Sequence, residues 1–500
     1  MMSRSSANAC RGSGGGTRSQ CLELGRRIVA THNLVNRREF LGRAGGAVLG
    51  GSAALAMPQV AFGAAAGGEK PNFVFILVDD MGWADLTCYG STFYETPNID
   101  KLAGEGMRFT DAYAACPVCS PTRGSILTGR YPARLHLTDF IPGHLRPWAK
   151  LTVPEFNQQL PLEEVTIAEA LQPAGYVSAC IGKWHLGGPE FNPDKQGFAH
   201  TVMQAPNNND KRVGALTDEA VGFMEANKDR PFFLYLAHHT VHIPLEARQE
   251  LIDKYEAKAH GAKAQGHPSY AAMIETLDES IARLMKTLDE LKIADRTVVI
   301  FFSDNGGLIQ RYDGEGSIVT SNAPLRSEKG TLYEGGIRDP LIVRWPGVVS
   351  PGSVCDVPVT SVDFYPMMLQ MAAVEGDGEH VIDGESIVPL LRQTGGLERD
   401  AIYWHYPHYH HTAPCAAVRD GKYKLIEFYE DGALELYDLE EDIGEQDNLA
   451  AKMPRKAAEL RAKLDDWRRA ASAQMPTLNP SYDPARAHVW GRRRKKPAKK

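Results

Sequence analysis

Residues 72–80 read NFVFILVDD, a run of six apolar residues that ends on two aspartates. A continuous apolar run of this length is typical of a strand buried on both faces, as in a parallel sheet. Apolar residues spaced by three and four over 270–292 predict a helix. Strand-like runs alternate with helical patterns, which predicts an α/β fold with a mostly parallel central sheet flanked by helices. The other strand-like runs are 176–180, 231–237, 297–302 and 341–345.

Four of these strands are followed directly by polar residues. Asp79 and Asp80 follow the first, and the others lead into GKWH at 182–185, HHTVH at 238–242 and SDNG at 303–306. Open α/β sheets bind ligands at the carboxyl ends of their strands. We therefore expect the four clusters to converge on one site, although each alone could be a solvated loop.

The pattern changes near residue 395. We assign 67–394 to the α/β domain and 395–480 to a small α+β C-terminal subdomain, with short antiparallel strands at 423–427 and 434–439 and a helix at 459–470. The last ten residues hold seven Lys or Arg. We expect residues 481–500 to be a disordered basic tail, with binding to acidic glycans or membranes as the alternative.

The N-terminal 66 residues have the order of an export signal. Asn36–Leu41 reads NRREFL and precedes a Gly/Ala-rich apolar stretch and then a cluster of small residues. This order resembles a twin-arginine signal, so we expect a disordered leader, export by the twin-arginine machinery and a periplasmic location. An ordinary secretory signal with a chance arginine pair is the alternative. Outside this leader no apolar run is long enough for a stable membrane span.

The net charge of −7 over 500 residues is unevenly distributed. The leader and the tail are basic, so the body between them carries a large excess of acidic residues. Such a body repels polyanions over much of its surface, which argues against a nucleic-acid-binding protein.

Residues 119–129 read CSPTRGSILTG, of the form C-x-P-x-R-x4-T-G. A cysteine just before Ser-Pro suits a helix start, where free N–H groups and the helix dipole favour anions. Arg123 adds a permanent positive charge one turn later. From the residues alone, Cys119 is either an activated nucleophile in an anion-binding pocket or a buried cysteine that begins a helix.

The same stretch resembles the signature of the type I, formylglycine-dependent sulfatases of the alkaline phosphatase superfamily. Four further segments resemble the family pattern in the same order, and the segment 436–450 resembles its C-terminal subdomain. The resemblance covers roughly residues 70–470 and implies an alkaline phosphatase-like fold. The four segments are VDDMG at 78–82, GKWHLG at 182–187, SDNGG at 303–307 and KGTLYEGG at 329–336.

The resemblance implies a modified residue and a metal ion. Cys119 would be oxidised to formylglycine by a separate maturation enzyme. Asp79, Asp80, Asp304 and Asn305, with formylglycine 119, would bind one Ca²⁺. These hard oxygen ligands suit Ca²⁺ on chemical grounds as well, since adjacent carboxylates repel unless a cation lies between them.

The resemblance also gives roles to the basic residues. Lys183 and Lys329 would hold sulfate oxygens, and Arg123 would orient the nucleophile. His185 would contact the hydrated aldehyde and assist its deprotonation. His242 would donate a proton to the leaving alcohol. We choose it over its two neighbours, His238 and His239, because of the His-x-Pro spacing.

These expectations describe a sulfuric ester hydrolase that attacks sulfur through formylglycine and then releases inorganic sulfate. The segments 135–142 and 160–168 resemble the branch that acts on sulfated carbohydrates of the galactose or N-acetylgalactosamine type, with aryl sulfates as side substrates. A phosphonate or phosphodiester hydrolase of the same superfamily is the second interpretation. A non-catalytic sulfoglycan-binding protein is the third. The run HYPHYHH at 405–411 is either a substrate-lining loop or a solvated loop, with metal binding as a minor third option.

Overall fold

The computed structural model describes residues 70–258, 265–310, 318–376, 378 and 380–491. The predicted leader at 1–66 lies outside the described residues. The described strands, with their bounds, are β1 Asn72–Val78, β2 Met107–Phe109, β3 Ala112–Tyr113, β4 Leu151–Thr152, β5 Val177–Gly182, β6 His200–Val202, β7 Phe232–Ala237, β8 Thr297–Ser303, β9 Leu341–Arg344, β10 Ser353–Cys355, β11 Val359–Thr360, β12 Ala401–Tyr406, β13 Cys415–Asp420, β14 Tyr423–Phe428, β15 Leu434–Asp438 and β16 Thr477–Leu478.

The described α-helices follow the same chain order. They are α1 Pro97–Glu105, α2 Cys119–Thr128, α3 Pro132–Leu135, α4 Ile167–Leu171, α5 Val213–Asn227, α6 Gln249–Lys258, α7 Pro268–Glu290, α8 Glu334–Ile337, α9 Phe364–Met371, α10 Val388–Leu391 and α11 Pro454–Ala470.

The central sheet has eight strands in the order β10-β2-β9-β8-β1-β7-β5-β6. Strand β1 pairs in parallel with β7 and β8, and β5 pairs in parallel with β6 and β7. Strand β9 runs antiparallel to both of its neighbours, β8 and β2. The prediction of a mostly parallel sheet is therefore confirmed.

Helices cover the sheet on both faces, as the continuous apolar strands predict. Phe73, Phe75 and Leu77 of β1 join a core formed with α2, α4, α9 and α10. Val74 and Ile76 point to the opposite face and pack in a second core with α1, α5 and α7. All seven residues of β1 are buried. The alternating side chains of one strand thus stabilise two helical layers.

The C-terminal subdomain is an antiparallel sheet in the order β12-β13-β14-β15 with α11 against one face. Leu460 and Leu464 of α11 are buried against this sheet. On the other face, Trp404 packs with Tyr113 and with residues around α8. The α+β character is as predicted. The sheet contains the two strands that the sequence predicted, β14 and β15, and two further strands, β12 and β13.

Residues 477–491 form a segment that we call the C-terminal strap. Strand β16 of the strap pairs antiparallel with β4, and the Gly491 N–H donates to the Leu145 carbonyl at 2.8 Å. The side chain of Asn479 donates to the carbonyls of Pro147 and Ala149 at 2.9 and 2.8 Å. The prediction of a disordered tail from residue 481 is therefore wrong for 481–491, because these tertiary contacts order the strap. Residues 492–500 lie outside the described residues.

No helix in the described part of the chain is long and apolar enough to cross a lipid bilayer.

Candidate active site

The four predicted polar clusters meet because β8, β1, β7 and β5 are consecutive neighbours in the sheet. Backbone hydrogen bonds tie their ends together. The Asp79 N–H donates to Thr240 at 2.9 Å, Asp304 N–H to Val78 at 3.0 Å, and Lys183 N–H to Ala237 at 2.8 Å. The prediction that these clusters share one edge of the sheet is confirmed.

The turn that leads from β5 into the site is too tightly packed for a side chain at Gly182. Gly182 has a φ of 104°, and a Cβ at this position would overlap the carbonyl oxygen of Ala237. Two residues of the site also have left-handed backbones, Asp80 with φ 64° and His185 with φ 56°. Such conformations are unfavourable outside glycine and concentrate at functional sites.

The acidic part of the site is buried. Asp79, Asp80, Asp304 and Asn305 are each no more than 2% exposed. The Asp80 N–H donates to Asp304 Oδ1 at 3.2 Å, and Asn305 Nδ2 donates to Asp80 Oδ1 at 2.8 Å. All four residues come from the ends of β1 and β8, which explains why they lie together.

Three cations neutralise these carboxylates. Arg123 of α2 donates from Nε and Nη2 to Asp304 Oδ2 at 2.9 and 2.7 Å, and from Nη1 to the Lys183 carbonyl at 2.8 Å. Lys183 Nζ lies 2.6 Å from Asp79 Oδ2. Lys329 Nζ lies 2.6 and 2.7 Å from the two oxygens of Asp80. The structure therefore brings the three predicted cations together.

The pKa values of Asp79 and Lys329 reflect their pairing. Burial alone would raise the pKa of Asp79, but the charges of Lys183, His242 and Arg123 hold it well below its usual range. Burial would lower the pKa of Lys329, and the carboxylate of Asp80 raises it instead. Both groups are therefore charged at neutral pH.

Cys119 is the first residue of α2 and is buried. Burial raises the pKa of its thiol, although the charges of Lys183 and Lys329 oppose this effect. A thiol with a raised pKa is a weak nucleophile, because the thiolate is the reactive form. The geometry thus places Cys119 at the cations but does not activate its thiol.

The donor set fits a Ca²⁺ ion. Asp79 Oδ1 and Asn305 Oδ1 are buried and have no hydrogen-bond partner among the described residues. Ligand atoms of Asp79, Cys119 and Asp304 lie within 4.8 Å of one another. Buried oxygens without a donor are unfavourable on their own. Carboxylate and amide oxygens are the ligands that Ca²⁺ prefers.

The two histidines predicted to act in catalysis, His185 and His242, contact different groups. His185 Nε2 lies 2.7 Å from the Ile141 carbonyl oxygen, and burial followed by the charge of Lys183 lowers its pKa to about 3. His242 Nε2 lies 3.5 Å from Asp80 Oδ2. Both rings line the cavity, and His185 is neutral over the physiological range.

The side chains of His238 and His239, the other two histidines of this loop, point in different directions. His238 is buried with Nε2 3.4 Å from Ser280 Oγ of α7, so it faces the helical layer. His239 lines the cavity, and burial lowers its pKa to about 4. The structure therefore removes His238 from the choice of proton donor and keeps His239 beside His242.

The cavity above the cluster has a volume of about 970 Å³. Of the predicted site residues, Asp79, Cys119, Lys183, His185 and His242 line it, and Lys329 does so as well. Sequence reasoning missed several lining residues, because single cations and aromatics in loops carry no local signal. These are His144, Arg146, Lys211, Ile243, Leu308 and Trp490.

The His-rich run divides between two environments. His405 belongs to β12 and contacts Gln474, and His408 is buried 2.8 Å from Thr138 Oγ1. His410 and His411 line the cavity. Only the end of the run therefore matches the predicted substrate-lining loop.

Comparison with known proteins identifies the family. The model of the family described as Sulfatase matches residues 71–374, and the model described as N-sulphoglucosamine sulphohydrolase, C-terminal, matches residues 327–470. A sulfatase of Formosa agariphila is 31% identical, over 80% of this chain and 89% of its own. Human arylsulfatase A is 33% identical, over 76% and 83% of the two chains. Human N-acetylgalactosamine-6-sulfatase is 32% identical, over 68% and 70%.

Solved structures of sulfatases resemble the fold of this chain. Ps i-CgsB, crystallised in complex with k-i-k-neocarrahexaose, is 27% identical with a TM-score of 0.69, covering 83% of this chain and 95% of its own. The PsFucS1 sulfatase from Pseudoalteromonas sp. is 25% identical with a TM-score of 0.65, covering 81% and 91%. The fold, the convergent site and these similarities lead to one conclusion: the chain belongs to the sulfatase family.

Proposed function

We propose that this sulfatase releases inorganic sulfate from a sulfated carbohydrate of the galactose or N-acetylgalactosamine type. The observation that carries the proposal is the meeting of Cys119 with Arg123, Lys183 and Lys329 at the base of one cavity. A sulfate ester is an anion whose terminal oxygens need cations. Negative charge also moves onto the bridging oxygen as the S–O bond breaks, so preplaced cations stabilise the transition state.

The lysines bind and orient the sulfate group. Lys183 and Lys329 each reach the cavity while paired with a carboxylate, which fixes the position of the ammonium group. Fixed donors need no reorganisation when the substrate arrives. Arg123 acts differently, since its fork is engaged with Asp304 and the Lys183 carbonyl. It holds these groups in place below residue 119.

We propose that residue 119 carries formylglycine and that Asp79, Asp80, Asp304 and Asn305 hold Ca²⁺. When both are present, the modified residue supplies the attacking oxygen and the metal ion lowers the pKa of that oxygen. His185 is neutral and its Nδ1 lacks a hydrogen-bond partner among the described residues, so this nitrogen would accept a hydrogen bond from the hydrated aldehyde and assist its deprotonation.

His242 donates the proton to the leaving alcohol in this proposal. We expect His242→Gln to lower kcat by about 10²-fold or more on a sugar sulfate, whose alkoxide is a poor leaving group. The loss on p-nitrophenyl sulfate should be much smaller, because nitrophenolate leaves without a proton. Steady-state rates on the two substrates measure the difference.

The matched variant is His239→Gln, which removes the other cavity histidine of the same loop. It should lower the rates on the two substrates by similar factors. If His239→Gln instead shows the leaving-group dependence and His242→Gln does not, the assignment of the proton donor is reversed.

A phosphoester substrate is the competing interpretation within the same superfamily. We expect kcat/KM for p-nitrophenyl sulfate to exceed that for p-nitrophenyl phosphate by at least about a hundredfold, since the site is arranged for one ester class. Defined 6-sulfated N-acetylgalactosamine and galactose should be desulfated as well. Faster hydrolysis of phosphate monoesters or diesters would reject the sulfatase proposal, and binding without turnover of any ester would favour a sulfoglycan-binding protein.

Removal of the metal ion should weaken the fold as well as the activity. A ligand at a hundred times its dissociation constant stabilises the native state by about 2.7 kcal/mol. We expect dialysis against a chelator to lower the free energy of unfolding by about this amount and Ca²⁺ to restore it. In Asp304→Asn the Ca²⁺-dependent difference should largely vanish. Equal stability of the wild-type protein with and without Ca²⁺ would contradict the proposed site.

A further inference from the structure

Arg146 is a cation of the cavity that takes no part in the cluster of Asp79, Asp80 and Asp304. It lines the same cavity as Cys119. Its guanidinium carbon lies 3.9 Å from the ring centroid of Trp490 and 5.5 Å from that of Tyr409. Nη2 donates one hydrogen bond, to the His410 carbonyl at 3.3 Å. Aromatic rings thus hold the planar group in a fixed orientation.

Charge compensation of Arg146 within the described residues comes from groups at a distance, Tyr409 and Glu430, and Glu430 accepts a hydrogen bond from the Tyr409 hydroxyl. In the part of the chain that the structure describes, no carboxylate forms an ion pair with it, and its Nε is buried without a hydrogen-bond partner. Burial lowers the pKa of the guanidinium, which shows that the surroundings disfavour the charged form. A partly desolvated cation of this kind gains more from an anionic ligand than a solvated surface arginine does.

The contact with Trp490 depends on the C-terminal strap. The strap follows the segment 145–152 in an antiparallel direction, from the β16–β4 pair to the hydrogen bond between Gly491 and Leu145. Trp490 is 44% exposed and forms part of the cavity wall. The strap lies beyond residue 470, where the matches to the family models end. It therefore adds a wall to the site that the family signature does not specify.

We propose that Arg146, positioned by Trp490, binds a second anionic group of the substrate, so that the enzyme prefers saccharides with two negative charges. This rests on the proposed sulfatase function. Lys183 and Lys329 serve the sulfate that is cleaved. Two further lysine or arginine side chains line the cavity without an ion pair among the described residues, Lys211, which donates to the Pro244 carbonyl, and Arg146, whose planar fork fits a carboxylate or a sulfate. Arg146 contacts the substrate as a specificity-determining residue, and Trp490 acts through Arg146.

The first test compares Arg146→Gln with the wild type on three probes. These are N-acetylgalactosamine 6-sulfate, a disaccharide that links this sugar to a uronate, and a disulfated galactose disaccharide. We expect KM to rise about tenfold or more on a probe with a second charge, with kcat changed by less than about twofold, and to rise far less on the singly charged sugar. The probe with the larger change identifies carboxylate or sulfate as the second group. An equal change on all three probes would overturn the proposal.

The second test addresses Trp490. Trp490→Ala should raise KM on the same probe by a factor close to that of Arg146→Gln, and Trp490→Phe should restore most of the loss because a ring remains beside the guanidinium. Tyr482→Ala is the control, since Tyr482 lies on the same strap, is 47% exposed and does not line the cavity. A similar rise in KM for Tyr482→Ala would point to a general effect of the strap and overturn the role of Trp490.

Binding measurements separate this proposal from the proposed function. In a Cys119→Ala background, calorimetric titration gives the dissociation constant of each probe without turnover. A tenfold weaker binding of the doubly charged probe after Arg146→Gln supports the proposal whatever the rate of hydrolysis. Unchanged binding rejects it, even if the wild-type protein is an active sulfatase. Failure of the wild-type protein to hydrolyse any sulfate ester would reject the proposed function alone.

Discussion

Cys119→Ala is expected to lower kcat on any sulfate ester by at least about 10³-fold, because removal of the proposed nucleophile leaves only binding and electrostatic stabilisation. The side chain begins α2 within the cation cluster, and no other cysteine lines the cavity in the described part of the chain. The measurement is kcat on p-nitrophenyl sulfate, with the wild-type protein prepared in a host that supplies the maturation enzyme.

The fold should survive this substitution, since alanine removes one buried atom and costs about 1 kcal/mol. Cys88→Ala is the matched control, because Cys88 is only half-buried and lies outside the cavity, where Asp100 accepts a hydrogen bond from its backbone. It should retain wild-type kcat. Mass analysis of the peptide that contains residue 119, with a hydrazide probe for the aldehyde, reports the modification separately. Wild-type turnover by Cys119→Ala, or an unmodified thiol in an active wild-type preparation, would refute the proposed nucleophile.

Lys424→Ala is expected to produce the largest loss of stability, of about 3–5 kcal/mol. Lys424 of β14 is fully buried and its Nζ lies 2.8 Å from Glu334 Oε1 and 2.9 Å from Glu445 Oε1. The Glu334 N–H also donates to Glu445 Oε2 at 2.7 Å. This cluster joins α8, which follows the Lys329 loop, to the C-terminal subdomain. Removal of the lysine leaves two buried carboxylates facing each other, of which Glu334 keeps an ion pair with Arg338 at 3.4 Å and Glu445 loses its cation.

Denaturant unfolding of the wild type and the variant measures this loss. Lys452→Ala removes an ion pair of the same kind from the surface, where Lys452 and Asp447 are 63% and 61% exposed and lie 2.8 Å apart. It should change the free energy of unfolding by about 1 kcal/mol or less. The double variant Lys424→Met/Glu445→Gln should recover part of the stability, since fewer charges stay buried. Equal losses for Lys424→Ala and Lys452→Ala would show that the buried cluster does not stabilise the fold.

Much of the catalytic centre could be predicted because its signals are local. Asp79 and Asp80 directly follow an apolar strand, and Arg123 lies one helical turn after Cys119. The rule that parallel strands place their carboxyl ends at one edge then brings Asp304 to the same place. The position of His242 could be predicted, but the choice between it and His239 could not. All three histidines lie in one short loop, and only the directions of their side chains exclude His238 as the proton donor.

Other features required the tertiary structure. The run at 341–345 predicted a strand, but its antiparallel direction depends on how the chain returns to the sheet. The composition of 481–500 favoured disorder, yet 481–491 are ordered through contacts with 145–148, more than three hundred residues earlier in the chain. Arg146 and Trp490 carry no motif, so their meeting in the cavity could not be inferred from either segment.

Hydrophobic periodicity predicts the fold class, and short motifs that resemble the sulfatase pattern predict the cation cluster and its acidic partners, because both signals act over a few residues. The tertiary structure decided which side chains surround the substrate beyond the sulfate group. Those side chains come from loops and from the C-terminal strap, whose positions depend on long-range contacts that no local pattern encodes. Short motifs thus contain the residues at the base of the cavity, whereas distant segments of the chain form its walls.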